Sequence, residues 1–566
     1  MCIRDSDNPM GHGAEGMKYR FQWNFPIFFS PHDPDKLYTA SNHLHVTTNE
    51  GQSWEVISPD LTRADPSKLG PSGGPITKDN TSVEYYATIF AAIESPYEKG
   101  LLWTGSDDGL IHVSRDGGKN WKNVTPKNLP EWLMINSLEA DPFNKGGLYV
   151  AGTRYKLGDY QPYLYKTNDY GKTWKKITNG IPSDDFTRVV RADPNRKGLL
   201  YAGTESGMYI SFDDGASWKP FQQNLPIVPI TDLAIKKKNL IAATQGRSFW
   251  IIDDLTPLHQ LKEDVMSNSV HLFQPMDSYR MDGGSRGPSK TAGTNHPGGV
   301  TVNFLIKDTT AVDTVRLEFR NNSNDLITAY STHPEKKLKE GKLEIEPGMN
   351  SFNWNMRYPG ADTFDGMVLW WSSMDGPKAV PGEYKVALVT NEQEKVQEFK
   401  ILKDPRSTAT EKDLKEQFDF LQSLVEKISK THNAIEDLRT TKSQITEVLD
   451  QIAKVEGAEE VKELGEEIKK DLTEVEERLY QTKNRSSQDP LNFPIRLNNK
   501  LAHLNSLMAV GDFSPTDSAL KFRDEITKEI DEELEKLREV YSEKVPEFNQ
   551  MVKNLDWNPV EVKALP

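Results

Sequence analysis

The stretch TNDYGKTWKKIT, Thr167 to Thr178, is polar and turn-like, yet it carries a large indole at a fixed place. The chain writes the same phrase as TTNEGQSWEVI from Thr47, SRDGGKNWKNVT from Ser114 and SFDDGASWKPF from Ser211. Each copy reads Ser/Thr, any, Asp/Asn, any, Gly, any, a small polar residue, Trp. Repetition of so constrained a pattern marks an internal repeat array, which must be read before any single residue is interpreted.

Every phrase ends a longer unit: an apolar strand, an Asp-Pro or charged turn, a strand such as LLYAGT, a Gly-centred turn and a strand such as GMYISFD. A worn fifth copy, VPITDLAIKKKNLIAATQGRSFWIIDDL, follows the fourth. Such a unit is a small antiparallel meander. The phrase glycines Gly51, Gly118, Gly171 and Gly215 lie 67, 53 and 44 residues apart, closing on the roughly 40 to 50 residues of a four-stranded propeller blade. About five blades are therefore expected over residues 18–282, a partial β-propeller. Within the turn, Asp or Asn accepts backbone N–H groups, Gly supplies a positive φ, the Ser/Thr hydroxyl ties down what remains, and Trp folds between sheets. Asn49, Gly51 and Trp54, Asp116, Gly118 and Trp121, Asp169, Gly171 and Trp174, and Asp213, Gly215 and Trp218 are accordingly structural. Their carboxylates are spent on their own turns rather than on a metal or on catalysis.

The phrase resembles the Asp-box, or BNR repeat. Residues 18–260, through RFQWNFPI, WTGSDDGLIHVSRDGG and TQGRSFWIIDD, are similar to the final blades of large bacterial BNR-repeat proteins labelled glycosyl hydrolases. Their propellers resemble those of sortilin (VPS10) and of xyloglucanases. The resemblance implies an exported, glycan-directed propeller protein, periplasmic or extracellular, represented here by a C-terminal fragment whose signal peptide is lost. Hydrolysis of an O-glycosyl bond is left open. The alternative is a non-catalytic, sortilin-like propeller that binds peptide or protein.

A net charge of −15 argues against coating nucleic acid, which needs surplus Lys and Arg. No apolar run reaches the length of a bilayer span. The single cysteine, Cys2, excludes internal disulfides. Residues 1–17 read as a non-native or disordered leader. No His pair or zinc spacing and no phosphate-loop lysine occurs, so neither metal nor cofactor is expected. Nothing in the sequence fixes the oligomeric state.

A propeller's functional face is the funnel over its channel, lined by the innermost strands and the segments entering them. If the first strand of each copy is innermost, the binding candidates are Arg20, Trp23 and Asn24, Tyr85 and Tyr86, Arg188, and Arg247 beside Trp250 where the ring would close. Arg154, Tyr155 and Tyr160 belong to an insertion, RYKLGDYQPY, that reads either as a binding loop or as a solvated hairpin tip. Aromatic faces beside hydrogen-bonding groups suit sugars or peptides. Glycoside hydrolysis needs facing carboxylates, for which Glu84, Glu131, Asp184 and Asp185 are the candidates; Asp107 and Asp108 in GSDDG read as a hairpin turn.

Beyond a Gly/Pro/Ser-rich linker at 283–299 the period-two pattern returns, in Val300, Val302, Phe304 and Ile306 and again in Tyr384, Val386 and Leu388. An Ig-like β-sandwich over 300–405 is expected, with at least one of Trp370 and Trp371 in its core. From 406 to 566 the apolar spacing becomes helical, as in Leu414, Phe418, Leu421, Val425 and Ile428 and in Phe522, Ile526, Ile530 and Leu534. An antiparallel helical bundle follows, one helix entered at SPTD with Ser514 as its cap.

Overall fold

The computed structural model describes residues 10–81, 83–284, 293–391 and 393–556. Residues 1–9 of the expected leader, with Cys2, and 285–292 of the expected linker lie outside them. The chain forms two compact units that divide between His259 and Gln260.

The first unit is five antiparallel sheets in chain order. Blade 1 holds β1 (Ile27–Ser30), β2 (Asp33–Ala40), β3 (Leu44–Thr47) and β4 (Glu55–Val56). Blade 2 holds β5 (Ile89–Glu94), β6 (Leu102–Ser106), β7 (Ile111–Ser114) and β8 (Lys122–Asn123). Blade 3 holds β9 (Met134–Ala140), β10 (Leu148–Arg154), β11 (Asp159–Thr167) and β12 (Lys175–Lys176). Blade 4 holds β13 (Thr187–Ala192), β14 (Leu200–Thr204), β15 (Met208–Ser211) and β16 (Lys219–Pro220), and blade 5 stops at three strands, β17 (Ile230–Lys236), β18 (Asn239–Thr244) and β19 (Phe249–Ile252). The first strands adjoin in series, β5 on β9, β9 on β13 and β13 on β17, and are innermost as expected.

Sheets stacked face to face bury both faces, which is why β6 and β14 are buried at every residue instead of alternating. Tyr38 and Leu44 of blade 1 pack with Ile89 and Leu102 of blade 2. Trp103 and Ile111 of blade 2 pack with Ile135 and Val150 of blade 3. Tyr149 and Leu164 of blade 3 meet Val190 and Ala202 of blade 4, and Tyr201 and Ile210 of blade 4 meet Ile230 and Leu240 of blade 5.

The tryptophan turns bolt these layers together. In blade 3 the Thr167 hydroxyl donates to Asp169 Oδ1 (2.9 Å) and accepts from Gly171 N (3.0 Å), while Asp169 accepts from Thr173 N (2.9 Å) and the Thr173 hydroxyl (2.6 Å). The turn is thereby closed on itself, and its indole is free to reach outward. Trp174 Nε1 donates to the Val124 carbonyl of blade 2 (2.7 Å), Trp121 Nε1 to Ile57 of blade 1 (2.9 Å) and Trp218 Nε1 to Ile177 of blade 3 (2.7 Å). At Gly171, φ is +78° and a Cβ would stand 2.6 Å from Val124 Cβ, so the neighbouring blade demands glycine twice over. Among the described residues no sheet precedes blade 1. Its Trp54 is 43% exposed and folds over its own Gly51.

Part of the expected leader joins this fold: Ala14 is buried with Leu69, Tyr85 and Ala87. At the other end, β20 (Val270–Leu272) and β21 (Ser278–Tyr279), expected within the propeller, pair with strands of the second unit, because their partners β22 (Val300–Ile306) and β28 (Glu394–Leu402) lie there. That unit has a three-stranded sheet, β20-β22-β26, with β26 at Gly348–Trp354. Its six-stranded sheet runs β21-β28-β27-β23-β24-β25, the added strands being β23 (Val315–Asn321), β24 (Leu326–Ser331), β25 (Gly341–Lys342) and β27 (Gly382–Thr390). Val302, Phe304, Leu317, Phe319, Trp354, Val386 and Leu388 fill a common core, the period-two residues turned inward.

Four longer helices follow, α1 (Glu411–Gln451), α2 (Glu459–Leu479), α3 (Leu497–Met508) and α4 (Asp517–Glu539). Thr410 and Asp413 close a capping box on α1. The cap of α4 is Thr516 rather than Ser514, whose hydroxyl instead donates to Asp413 of α1 (2.7 Å); Phe522 is left partly exposed. Gln417 of α1 ties the helices to each other and to the sandwich, donating to the Met508 and Gly511 carbonyls and accepting from Arg280.

Two predictions follow from the bolts. Trp218→Phe deletes a buried N–H, leaves the Ile177 carbonyl unpaired and opens a void, and should cost about 2–4 kcal/mol in chemical denaturation, whereas Trp54→Phe should change stability by less than about 1 kcal/mol. The Asn120 amide and N–H hold Asp116 at about 2, and Asp169, despite partial burial, is lowered by Thr173 and Thr167. Depressed carboxylates contribute stability above their unfolded value of about 3.9 that is lost as pH falls toward the folded value. Asp169→Asn, which copies the bonding of Asn49, should keep the fold at pH 7 and flatten the acid limb of Tm against pH below about 4.

Candidate functional site

Within the first unit, the inner strands and the segments entering them surround an open cavity of about 1200 Å³. Blade 1 contributes Trp23 and Asn24, blade 2 Glu84, Tyr86 and Asp107, and blade 3 Trp132, Asn136, Arg154, Tyr155 and Lys156. Blade 4 contributes Arg188 and Arg191, and blade 5 Thr231 and Asp232.

Six aromatic residues line this space, Phe28 and Phe90 together with Trp23, Tyr86, Trp132 and Tyr155, and the last four are each held by a specific contact. Trp23 is 66% exposed and donates from Nε1 to Glu84 Oε1 (2.7 Å), which lowers the Glu84 carboxyl and keeps it ionised. Tyr86 lies 6.4 Å from Trp132. Trp132 itself takes a left-handed φ of 62°, an uncommon conformation for a bulky residue, and the Arg63 guanidinium sits 5.2 Å from its ring. Tyr155 stacks on buried Phe186 at 5.0 Å, with Arg188 5.6 Å from its face.

The arginines are paired rather than free. Arg188 meets Glu205 (2.5 Å), Arg154 meets Asp159 (3.3 Å) and donates to the Glu131 carbonyl, and Arg191 bridges three blades through Ser137, Asp232 and the Leu233 carbonyl. Their positions are therefore fixed before any ligand arrives. Asp107 is buried at the cavity wall, where burial pushes it up to about 7 against the opposing pull of the Thr88 N–H, with Asp108 adding to the rise. Both of its oxygens accept from Thr88 (2.8 Å each). Asp108 accepts from Arg63 N and the Ser106 hydroxyl, so the GSDDG turn holds two blades together.

Of the sequence candidates, Trp23, Asn24, Glu84, Tyr86, Arg154, Tyr155 and Arg188 meet at the cavity. Arg20 does not; it is buried against Asp60, Thr62 and the Ala87 carbonyl, an ion pair that joins the entry segment to its own blade. Tyr85 is buried beside Ala14 and Leu69. Asp185 is buried and accepts from Thr204, Ser206 and Tyr209, while Asp184 is exposed and outside the lining. The Glu131 side chain and Tyr160 also lie outside it, Tyr160 6.1 Å from Phe186. Arg247 is exposed and its Nη1 donates to the Gly246 carbonyl; Trp250 donates to the Arg247 carbonyl and packs on blade 4. Trp132 was absent from the candidates, although an indole immediately before an inner strand was the available signal. Among the described residues no group of three or more His, Cys, Asp or Glu side chains is placed to hold a metal ion, and no helix is long and apolar enough to cross a membrane.

Residues 109–248 match the family described as sortilin, neurotensin receptor 3 (Sortilin-Vps10). The chain is 26% identical over 161 residues to an oligoxyloglucan-reducing end-specific xyloglucanase of Emericella nidulans, covering 27% of this chain and 17% of that protein. It is 25% identical over 205 residues to a xyloglucanase of a Paenibacillus species, covering 32% of this chain and 18% of that protein. A solved GH74 xyloglucanase from Xanthomonas campestris aligns with a TM-score of 0.33 at 16% identity, covering 50% of this chain and 48% of that one. The matched region spans under a fifth of the length of these two curated relatives. The stretch 109–248, which holds three of the four tryptophan phrases, is thus similar in sequence to the sortilin (Vps10) family.

Proposed function

We propose that this is an exported bacterial glycan-binding propeller, working in the periplasm or outside the cell, whose tryptophan turns are Asp-boxes and whose second unit opens with an Ig-like sandwich. The observation that carries the reading is the cavity wall: Trp23, Tyr86, Trp132 and Tyr155 offer aromatic faces, with Glu84, Asn136 and paired arginines between them. Pyranose rings are apolar on their C–H faces and polar at their rims, and such a wall complements both. The partial match to xyloglucanases supports a carbohydrate over a peptide.

Hydrolysis is a second reading, favoured by one observation. Glu84 and Asp107 line the same cavity with their carboxyl groups pushed apart, one down by Trp23 and the other up to about 7 by burial. Separated carboxyl groups are the arrangement that acid and base roles require.

Calorimetric titration of the chain with a xyloglucan heptasaccharide and with cellohexaose tests the binding. Tyr155→Ala and Trp132→Ala should each weaken it by about tenfold, the worth of one stacked ring. No oligosaccharide binding, equal binding by the variants, or preferential binding of an extended peptide would overturn the reading. If reducing ends are released, Glu84→Gln should slow that release by about 10²-fold or more while leaving the thermal midpoint in place; unchanged turnover would exclude Glu84.

A further inference from the structure

The second unit carries an aromatic platform that belongs to neither its core nor the propeller cavity. Between β26 and β27 the chain runs out onto the helices, and Met367, Leu369 and Met374 there pack against the helical core. Trp371 does the opposite. It is 75% exposed, it takes a left-handed φ of 42°, and its ring lies nearly parallel to that of Trp370, 13° apart with centroids 6.1 Å away. Both tryptophans thus lie outside the core expected for at least one of them.

The exposure is built in. Asn499 of α3, buried to 2%, accepts from Trp370 N and donates to the Trp370 carbonyl, both at 2.7 Å. Asn505, also buried, donates to the Ser373 and Asp375 carbonyls (3.0 and 3.1 Å), and His503 Nδ1 lies 2.7 Å from the Trp371 carbonyl. Core side chains of one helix therefore fix the backbone on both sides of an indole that faces solvent. Holding a large aromatic residue out of a core, in a conformation costing about 1–3 kcal/mol, preorganises a surface and does nothing for packing.

We propose that Trp371, backed by Trp370, is a stacking site for one pyranose ring of a neutral glycan. A carbonyl only accepts, so His503 Nδ1 donates to it, and in that tautomer Nε2 is the acceptor nitrogen. No hydrogen bond to that nitrogen occurs among the described residues, and sugar hydroxyls donate. A flat apolar face with an acceptor on the adjoining helix, set in the polar sequence Ser372, Ser373 and Asp375, matches an amphipathic ring. The site is independent of the propeller cavity, and either can fail without the other.

Fluorine NMR of the full chain labelled with 5-fluorotryptophan tests it, the Trp371 resonance being identified by its loss in Trp371→Phe. In a Tyr155→Ala, Trp132→Ala background, cellohexaose should shift that resonance with a Kd of about 1 mM, near the weak end of specific binding. Read instead from saturation transfer to the sugar's own protons, Trp371→Ala should weaken binding by about tenfold or more, Trp371→Tyr should retain it within about threefold, and His503→Ala should weaken it severalfold. A Trp371 resonance unmoved at about 10 mM sugar, wild-type affinity in Trp371→Ala, or a resonance that shifts only as the chain dimerises would overturn the proposal.

Discussion

The contact on which the first unit depends is a single hydrogen bond made three times, from the indole of one blade to a carbonyl of the blade before it. A stack of small sheets has no covalent reason to hold a fixed spacing, and apolar burial between them is not directional. The indole supplies direction. Its N–H must meet a carbonyl about 2.9 Å away, its ring must lie in the gap, and the glycine before it must let the turn touch the next sheet. At Trp54, whose blade has no sheet before it among the described residues, the same turn forms with the same internal bonds and the indole is exposed. The turn is therefore local and the bolt is not.

This division of labour assigns chemistry by position. The phrase aspartates are conspicuous, but Asp116, Asp169 and Asp213 are consumed by hydroxyl and N–H groups of their own turns. The inner ends of the blades carry the aromatic and charged residues of the cavity. Even there the arginines are partly structural: Arg191 reaches Ser137 in blade 3 and Asp232 in blade 5 from its own place in blade 4. The cavity wall is rigid because the groups that line it also hold the blades in register.

The repeat, its strand order and the structural role of the turns were legible in sequence because each rests on local rules: period-two burial, turn chemistry and the spacing of a phrase. The choice among adjacent cavity residues was not legible. Tyr85 and Tyr86 are neighbours of like character, yet one is buried beside Ala14 and the other lines the cavity. Left-handed residues at Ala87 and Trp132, just ahead of the inner strands β5 and β9, break the alternation that would have told them apart. Arg20 was misleading for a different reason. Its partners Asp60 and Thr62 lie beyond the meander, and no periodicity brings them to it. In the second unit the side-chain pattern located the sandwich core and the helices, but the ends of the helical seams depended on tertiary contacts, as at Phe522 and Ser514.

The bolts themselves can be observed directly through exchange of the indole N–H protons in chain labelled with ¹⁵N-tryptophan. Trp121, Trp174 and Trp218 should exchange slowly and together, as groups released only when blades separate, while Trp54 exchanges at the rate of an exposed indole. Equal, rapid exchange at all four indoles, or protection of Trp54 as strong as that of the other three, would contradict the account.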